Sequence, residues 1–163
     1  CAFRCADGIL GLMSHSELIL ASGSQTRKAL MDRLGLVYRC ISPDIDESAK
    51  GETHADALAR RLSFEKAKVI AEQYPDAIVI GSDQVAWRSH TPHDFIGKPL
   101  TTENAITQLM ANSGQSLCFS TGLSIQHLHS GFEHTLVEHY QVKFRELTLD
   151  EIQRYVAIEQ PLQ

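Results

Sequence analysis

Apolar and polar residues alternate along this chain in blocks whose length and period differ from one segment to the next. Leu18–Ala21 is an apolar run of strand length, closed by the polar turn Ser22-Gly23-Ser24. Arg27, Leu30, Met31 and Leu34 then recur at helical spacing, which predicts a helix with these four on one buried stripe. Ser24 suits its N-cap and Gly35 its stop. Val37–Ile41 reads as a second short strand, ended by Ser42-Pro43. The acidic turn Asp44-Ile45-Asp46-Glu47 and the polar stretch Lys50–Thr53 follow. A long helix is predicted from His54 to Tyr74, stopped by Pro75, with Leu58, Leu62, Val69 and Ile70 among its apolar positions. Lys66 lies four residues from both Leu62 and Ile70, so a lysine sits on the inward face. Either its stem packs while its head escapes to water, or it reaches an anion in a cleft.

Ala77–Gly81 is apolar throughout, as a central strand covered on both faces requires, and it runs into Ser82-Asp83-Gln84. A polar cluster is thus expected at a strand's carboxyl end, where open α/β sheets hold ligands. Arg88–Asp94 reads as a polar excursion and Ile96–Leu100 as a turn holding Lys98. Thr101–Asn112 has helical spacing, with Ala105, Ile106, Leu109 and Met110 inward. Leu117–Leu128 and Thr135–Phe144 read as long strands joined near His129-Ser130-Gly131. In the second, Leu136, Tyr140, Val142 and Phe144 are expected on one face. Thr148 and Glu151 form a capping box for a last helix reaching about Ile158.

Composition narrows the classes. The length of 163 residues suits one domain, or one domain with a small lobe. A net charge of −5 argues against a binder of nucleic-acid backbone, yet leaves room for a small anion in a local basic pocket. No apolar run approaches the ~20 residues that span a bilayer, so no membrane association is expected. Cys1, Cys5, Cys40 and Cys118 form no Cys-x-x-Cys pair, which points to reduced thiols in a cytoplasmic protein. Met13 opens MSHSELILAS, which reads as a natural start. Residues 1–12 are therefore taken as an upstream extension and 13–163 as the domain.

The chain has neither a P-loop nor a dinucleotide Gly-x-Gly-x-x-Gly nor a Gly-x-Ser-x-Gly elbow. Ser22, Ser24 and Arg27 gather at a helix N-terminus, an arrangement suited to phosphate; the plain alternative is a capped helix with a snorkelling arginine. With Lys66 and Lys98 they make a cationic set facing the carboxylates Asp46, Glu47 and Asp83. Cations to hold a polyphosphate, beside carboxylates to hold a divalent metal or activate water, suit phosphoryl chemistry. His90, His93 and Asp94 have ligand spacing, but loop histidines without further ligands are mostly solvated. His127, His129, His134 and His139 surround the expected hairpin.

SGSQTR at 22–27, DIDE at 44–47, FEKA at 64–67, GSDQV at 81–85 and GKPL at 97–100 occur in an order and spacing that resemble the Maf family of nucleoside triphosphate pyrophosphatases. The resemblance runs from Leu18 to about Leu162. It implies an α/β fold with a central, twisted mixed sheet flanked by helices and a cleft between two lobes. It implies cleavage of a nucleoside triphosphate to a monophosphate and pyrophosphate, with a divalent cation (Mg or Mn) as cofactor. By position, Asp83 matches the family's proton acceptor. Ser22, Ser24, Arg27, Lys66 and Lys98 match its phosphate contacts, and Glu47 a metal or site carboxylate. Gln84 after the aspartate looks like the subfamily acting on 7-methyl-GTP rather than the one acting on dTTP and UTP, and Thr26 also bears on substrate choice. The family usually continues beyond the Pro-Leu of Pro161-Leu162, so the chain is expected to be truncated at its C-terminus. The resemblance implies a nucleotide as partner and leaves a homodimer open. The rival function is a non-catalytic nucleotide-binding regulator of septum formation; retention of Asp83 with both lysines favours the enzyme.

Overall fold

One strand, β3 (Ile78–Arg88), pairs with three others and organises a six-stranded mixed sheet. The computed structural model describes residues 16–161; the suggested extension 1–12, Met13 and Leu162 lie outside the described residues. The strand order is β2-β1-β3-β5-β6, with β4 also on β3. Strand β1 (Leu18–Ala21) runs parallel to β2 (Arg39–Ile41) and to β3. Strands β4 (Thr91–Ile96), β5 (Ser116–His127) and β6 (Phe132–Lys143) continue the sheet in antiparallel pairs. The mixed α/β architecture with helices on both faces is the expected one.

Helix α2 (Ala55–Ala71) covers one face. Its alanines and leucines bury against Ile19, Ala21, Val79 and Val85, which alternate to that side. Two glycines let it approach to backbone contact. A Cβ on Gly81 would lie 2.3 Å from the Ser63 carbonyl oxygen, and one on Gly122 would lie 2.2 Å from that of Ala59. Helix α1 (Gln25–Asp32) lies on the opposite face, where Met31 packs with Leu18 and Leu20. Helices α3 (Thr102–Asn112) and α4 (Leu149–Glu159) bury Ala105, Ile152 and Val156 against each other. No helix among the described residues is long and apolar enough to cross a membrane.

The structure corrects several expectations. Only Met31 of the α1 stripe is buried; Leu30 and Leu34 are exposed because α1 meets the sheet along a single line over β1. Strand β2 begins at Arg39, and Val37 is 96% exposed. Arg88–Asp94 is the end of β3, a two-residue turn at Ser89-His90 and the start of β4 rather than an excursion. Helix α2 ends at Ala71, three residues short of the expected Tyr74, and turn residues lead on to Pro75. Tyr140 is exposed although Leu136 and Val142 of its face are half-buried, because no element covers that end of β6 among the described residues. The Thr148–Glu151 capping box forms as expected, each side chain bonding the other's backbone N–H.

Candidate active site

The sheet is split beside the middle of β3. β1 accompanies it from Ile78 to Gly81, and β4 joins the same side only from Ala86. β5 pairs along the other side without a break from Val79 to Arg88. Ser82–Val85 are thus held rigidly on one side and left without a strand partner on the other. Ser82-Asp83-Gln84 therefore lies within a strand, not at its carboxyl end; the site opens where the neighbours stop. β1 delivers Ser22–Ser24 to this gap, since Ala21 pairs with Gly81 and Ser22 comes next. β4 ends at Ile96 opposite Ala86, and Gly97-Lys98 follow.

Alternation sends Asp83 to the α2 face, with Gly81 and Val85. Lys66 on α2 meets it there. The two are 6% and 8% exposed, and Lys66 Nζ lies 2.6 Å from Asp83 Oδ1. A buried ammonium is costly unless paired, and a second carboxylate completes the pairing: Glu47 Oε1 also stands 2.6 Å from Nζ. The lysine on the apolar face thus reaches a cleft of carboxylates instead of escaping to solvent. Glu47 is held below its ordinary carboxyl range first by this hydrogen bond, against partial burial, and further by the charges of Lys66, Lys98 and Arg27. That field brings Arg27 from one face of the sheet and Lys66 from the other onto one carboxylate. Two carboxylates converging on one cation form a hard-oxygen donor set of the sort a divalent metal takes, so the residues fit such an ion.

The α1 end gathers hydroxyls and backbone N–H groups of the kind an anion takes. Ser24 caps the helix by accepting from the Arg27 N–H at 3.4 Å, and Ser22 Oγ accepts from the Ser24 N–H at 3.1 Å. Thr26 is exposed in the first turn and Arg27 is half-buried. Gln84 is not beside Asp83: it faces the opposite side of the sheet, where its Nε2 donates to Thr121 Oγ1 at 2.9 Å. Asp46 also stands apart. Its Oδ1 accepts from the Ser48 N–H and hydroxyl, and these bonds lower its carboxyl pKa. His93 bonds the Thr53 carbonyl and packs edge-on to His54; no group of three metal-ligating side chains forms among the described residues. A concavity of about 460 Å³ lined by Glu17, Leu36 and Arg39 lies toward the amino end of β1, away from Ser22, and contains none of these groups.

Arg61 went unread in the sequence. It ties Glu52, Glu65 and the Ser48 carbonyl together beside the acidic turn. The Arg61/Glu65 helical spacing was the one available signal.

Residues 17–163 match the sequence profile of a family described as Maf-like protein. A nucleoside triphosphate pyrophosphatase from Acinetobacter baylyi is 76% identical over 148 residues, 91% of this chain and 75% of that protein. A 7-methyl-GTP pyrophosphatase from Nitrosococcus oceani is 44% identical over 146 residues, 90% of this chain and 72% of that one. Another 7-methyl-GTP pyrophosphatase, from Pseudomonas savastanoi pv. phaseolicola, is 44% identical over 145 residues, 89% of this chain and 74% of that one. The structure of a HAM1 protein from Coxiella burnetii superposes with a TM-score of 0.51 at 17% identity, covering 78% of this chain and 72% of that chain, and so shares its fold.

Proposed function

This chain belongs to the Maf family and is a nucleoside triphosphate pyrophosphatase, and we propose that it acts on 7-methyl-GTP, releasing 7-methyl-GMP and pyrophosphate. The observation that carries the mechanism is the buried ammonium of Lys66 between Glu47 and Asp83, at a break in an otherwise continuous sheet. Asp83 takes the proton of the water that attacks the α-phosphorus. Its backbone is fixed by β5, and Lys66 Nζ holds its Oδ1 in place at 2.6 Å. As the α–β bridging bond breaks, charge grows on the departing pyrophosphate. Lys66, Lys98 and Arg27, whose charges all act on Glu47, would offset it. The Ser22–Ser24 turn and the N–H groups of α1 hold the phosphate chain. A divalent cation, Mg²⁺ or Mn²⁺, would be held by Glu47 and supplies neutralisation of phosphate oxygens when bound.

Support for 7-methyl-GTP comes from the names of two relatives and from Gln84. Its amide N–H₂ is engaged by Thr121, which leaves the carbonyl oxygen as an acceptor for a donor on a base. Thr26, exposed in the first turn of α1, is the other residue we assign to the substrate's variable part. The test is pyrophosphate release from 7-methyl-GTP, dTTP, UTP and GTP, with and without Mg²⁺. A preference for dTTP or UTP overturns the substrate, and nucleotide binding with no release from any of them overturns the activity. Asp83→Asn keeps the shape but removes the base. It should lower turnover by roughly 10²–10⁴-fold with nucleotide affinity retained. Wild-type turnover in that variant would exclude Asp83 as the base.

A further inference from the structure

The loop that carries Glu47 is fastened by a side chain on α2. Arg61 Nε donates to Glu52 Oε1, Nη1 to Glu65 Oε2 at 2.9 Å, and Nη2 to the Ser48 carbonyl at 2.7 Å. Ser48 directly follows Glu47, and on the other flank Asp46 Oδ1 accepts from the Ser48 N–H at 3.0 Å and its hydroxyl at 2.6 Å. The second oxygen of Glu52 accepts from the Lys50 N–H at 2.6 Å. Both ends of Ser48–Glu52 therefore return to one guanidinium. The fastening is sheltered: the Arg61 and Glu52 side chains are 19% and 15% exposed. What it presents is open, since the Glu47 side chain is 55% exposed and its ion pair among the described residues is with Lys66. An exposed glutamate on a loop ordinarily samples many positions, and little is gained by pairing it. This one is given a place by its flanks.

We propose that Arg61 is a positioning residue for the pyrophosphatase reaction: by gripping Ser48 and Glu52 it sets where Glu47 stands against Lys66 and Asp83. The proposal rests on Glu47 being a site carboxylate. The grip needs a guanidinium, because three bonds diverge from it in one plane toward three different partners. A lysine keeps the charge but reaches one or two of them.

Arg61→Lys is expected to lower kcat by roughly 10–100-fold, the usual cost of losing a group that orients a ligating side chain, with KM changed by less than about threefold. In a Glu47→Gln background the same substitution is expected to change the residual kcat by less than about twofold, because its effect passes through Glu47. An equal loss in both backgrounds overturns the proposal, since that is what general destabilisation produces. A second reading is independent of turnover. In a crystal structure of the Arg61→Lys variant, the Glu47 carboxylate is expected to have left Lys66 Nζ, with the Ser48 carbonyl released from the side chain at 61. Glu47 still paired with Lys66 there overturns the proposal. If the wild-type chain releases no pyrophosphate but Glu47 is displaced in the variant, the pyrophosphatase reading fails and the positioning of Glu47 stands. Should Arg61→Lys not fold, Glu52→Gln weakens the same grip from its other side and is read in the same two ways.

Discussion

Helix α2 meets the sheet almost backbone to backbone, whereas α1 meets it through one methionine. Along α2, Ala59, Ser63 and Ala67 close down on Gly81 and Gly122 with no room for a single added carbon. Along α1, Met31 is buried while Leu30 and Leu34 stay in water. Each helix nonetheless supplies a cation to the field around Glu47. The difference fits what each cation does. Lys66 is desolvated, so it is tolerable only where rigid packing keeps two carboxylates at 2.6 Å. Arg27 is half-buried at a helix start and keeps its hydration, so its support can be looser. One side of the site is held by rigid packing; the other rests on a single buried side chain of α1.

The sharpest way to break this contrast is to lift α2 off the sheet. Gly122→Ala would place a Cβ 2.2 Å from the Ala59 carbonyl oxygen and 2.6 Å from Ser63 Oγ. It should cost about 1–3 kcal/mol or more in urea unfolding, as overpacking does. A change below about 0.5 kcal/mol would mean that α2 has room to retreat. The loose side is tested by binding. Arg27→Ala should weaken a non-hydrolysable triphosphate by about 1.5–3 kcal/mol and a monophosphate by less, in calorimetric titration. Equal losses would mean that Arg27 does not reach the outer phosphates.

A smaller effect comes from acid. The Glu47 carboxyl is lowered from 4.5, chiefly by its hydrogen bond to Lys66. A depressed folded-state value means that this contribution to stability is full above about pH 4.5 and is lost as pH falls through the lower folded value. Because Glu47 is more than half exposed and screened by solvent, the loss should stay below about 1 kcal/mol. Urea midpoints measured below pH 4.5 should fall less steeply in Glu47→Gln than in the wild-type chain; parallel curves would remove the pair from the stability account.

Much of this was legible because caps and periods are local. Ser24, Thr101 and Thr148 mark three helix starts within a residue, and Lys66 stood out as a charge at an apolar position. The gap in the sheet was not legible. Ser82-Asp83-Gln84 has the composition of a turn, and only pairing with Gly122 and its neighbours keeps it extended. That partner lies beyond β4 and α3, and no local pattern announces it. The same pairing sent Gln84 to the far face, although it follows Asp83 directly. Arg61 was hidden because two of its partners, Glu52 and Ser48, sit nine and thirteen residues back in a loop without periodicity.

The three partners of β3 also set an order for folding. β5 and β6 are joined by a 3-10 turn, Leu128–Ser130, and Gly131, so their zipper needs little chain closure. β1 reaches β3 only after α1, β2 and α2 have been brought round, the largest loop among the β3 pairings. Topology therefore makes docking of β1 a late event, and pulsed hydrogen exchange should protect β5 and β6 amides before those of Leu18–Ala21. Because β1 brings Ser22–Ser24 and α1 to the gap, the proposed phosphate site would be assembled only when β1 docks. Nucleotide binding would then report completed folding, and a bound nucleotide would act on the last step of assembly rather than the first.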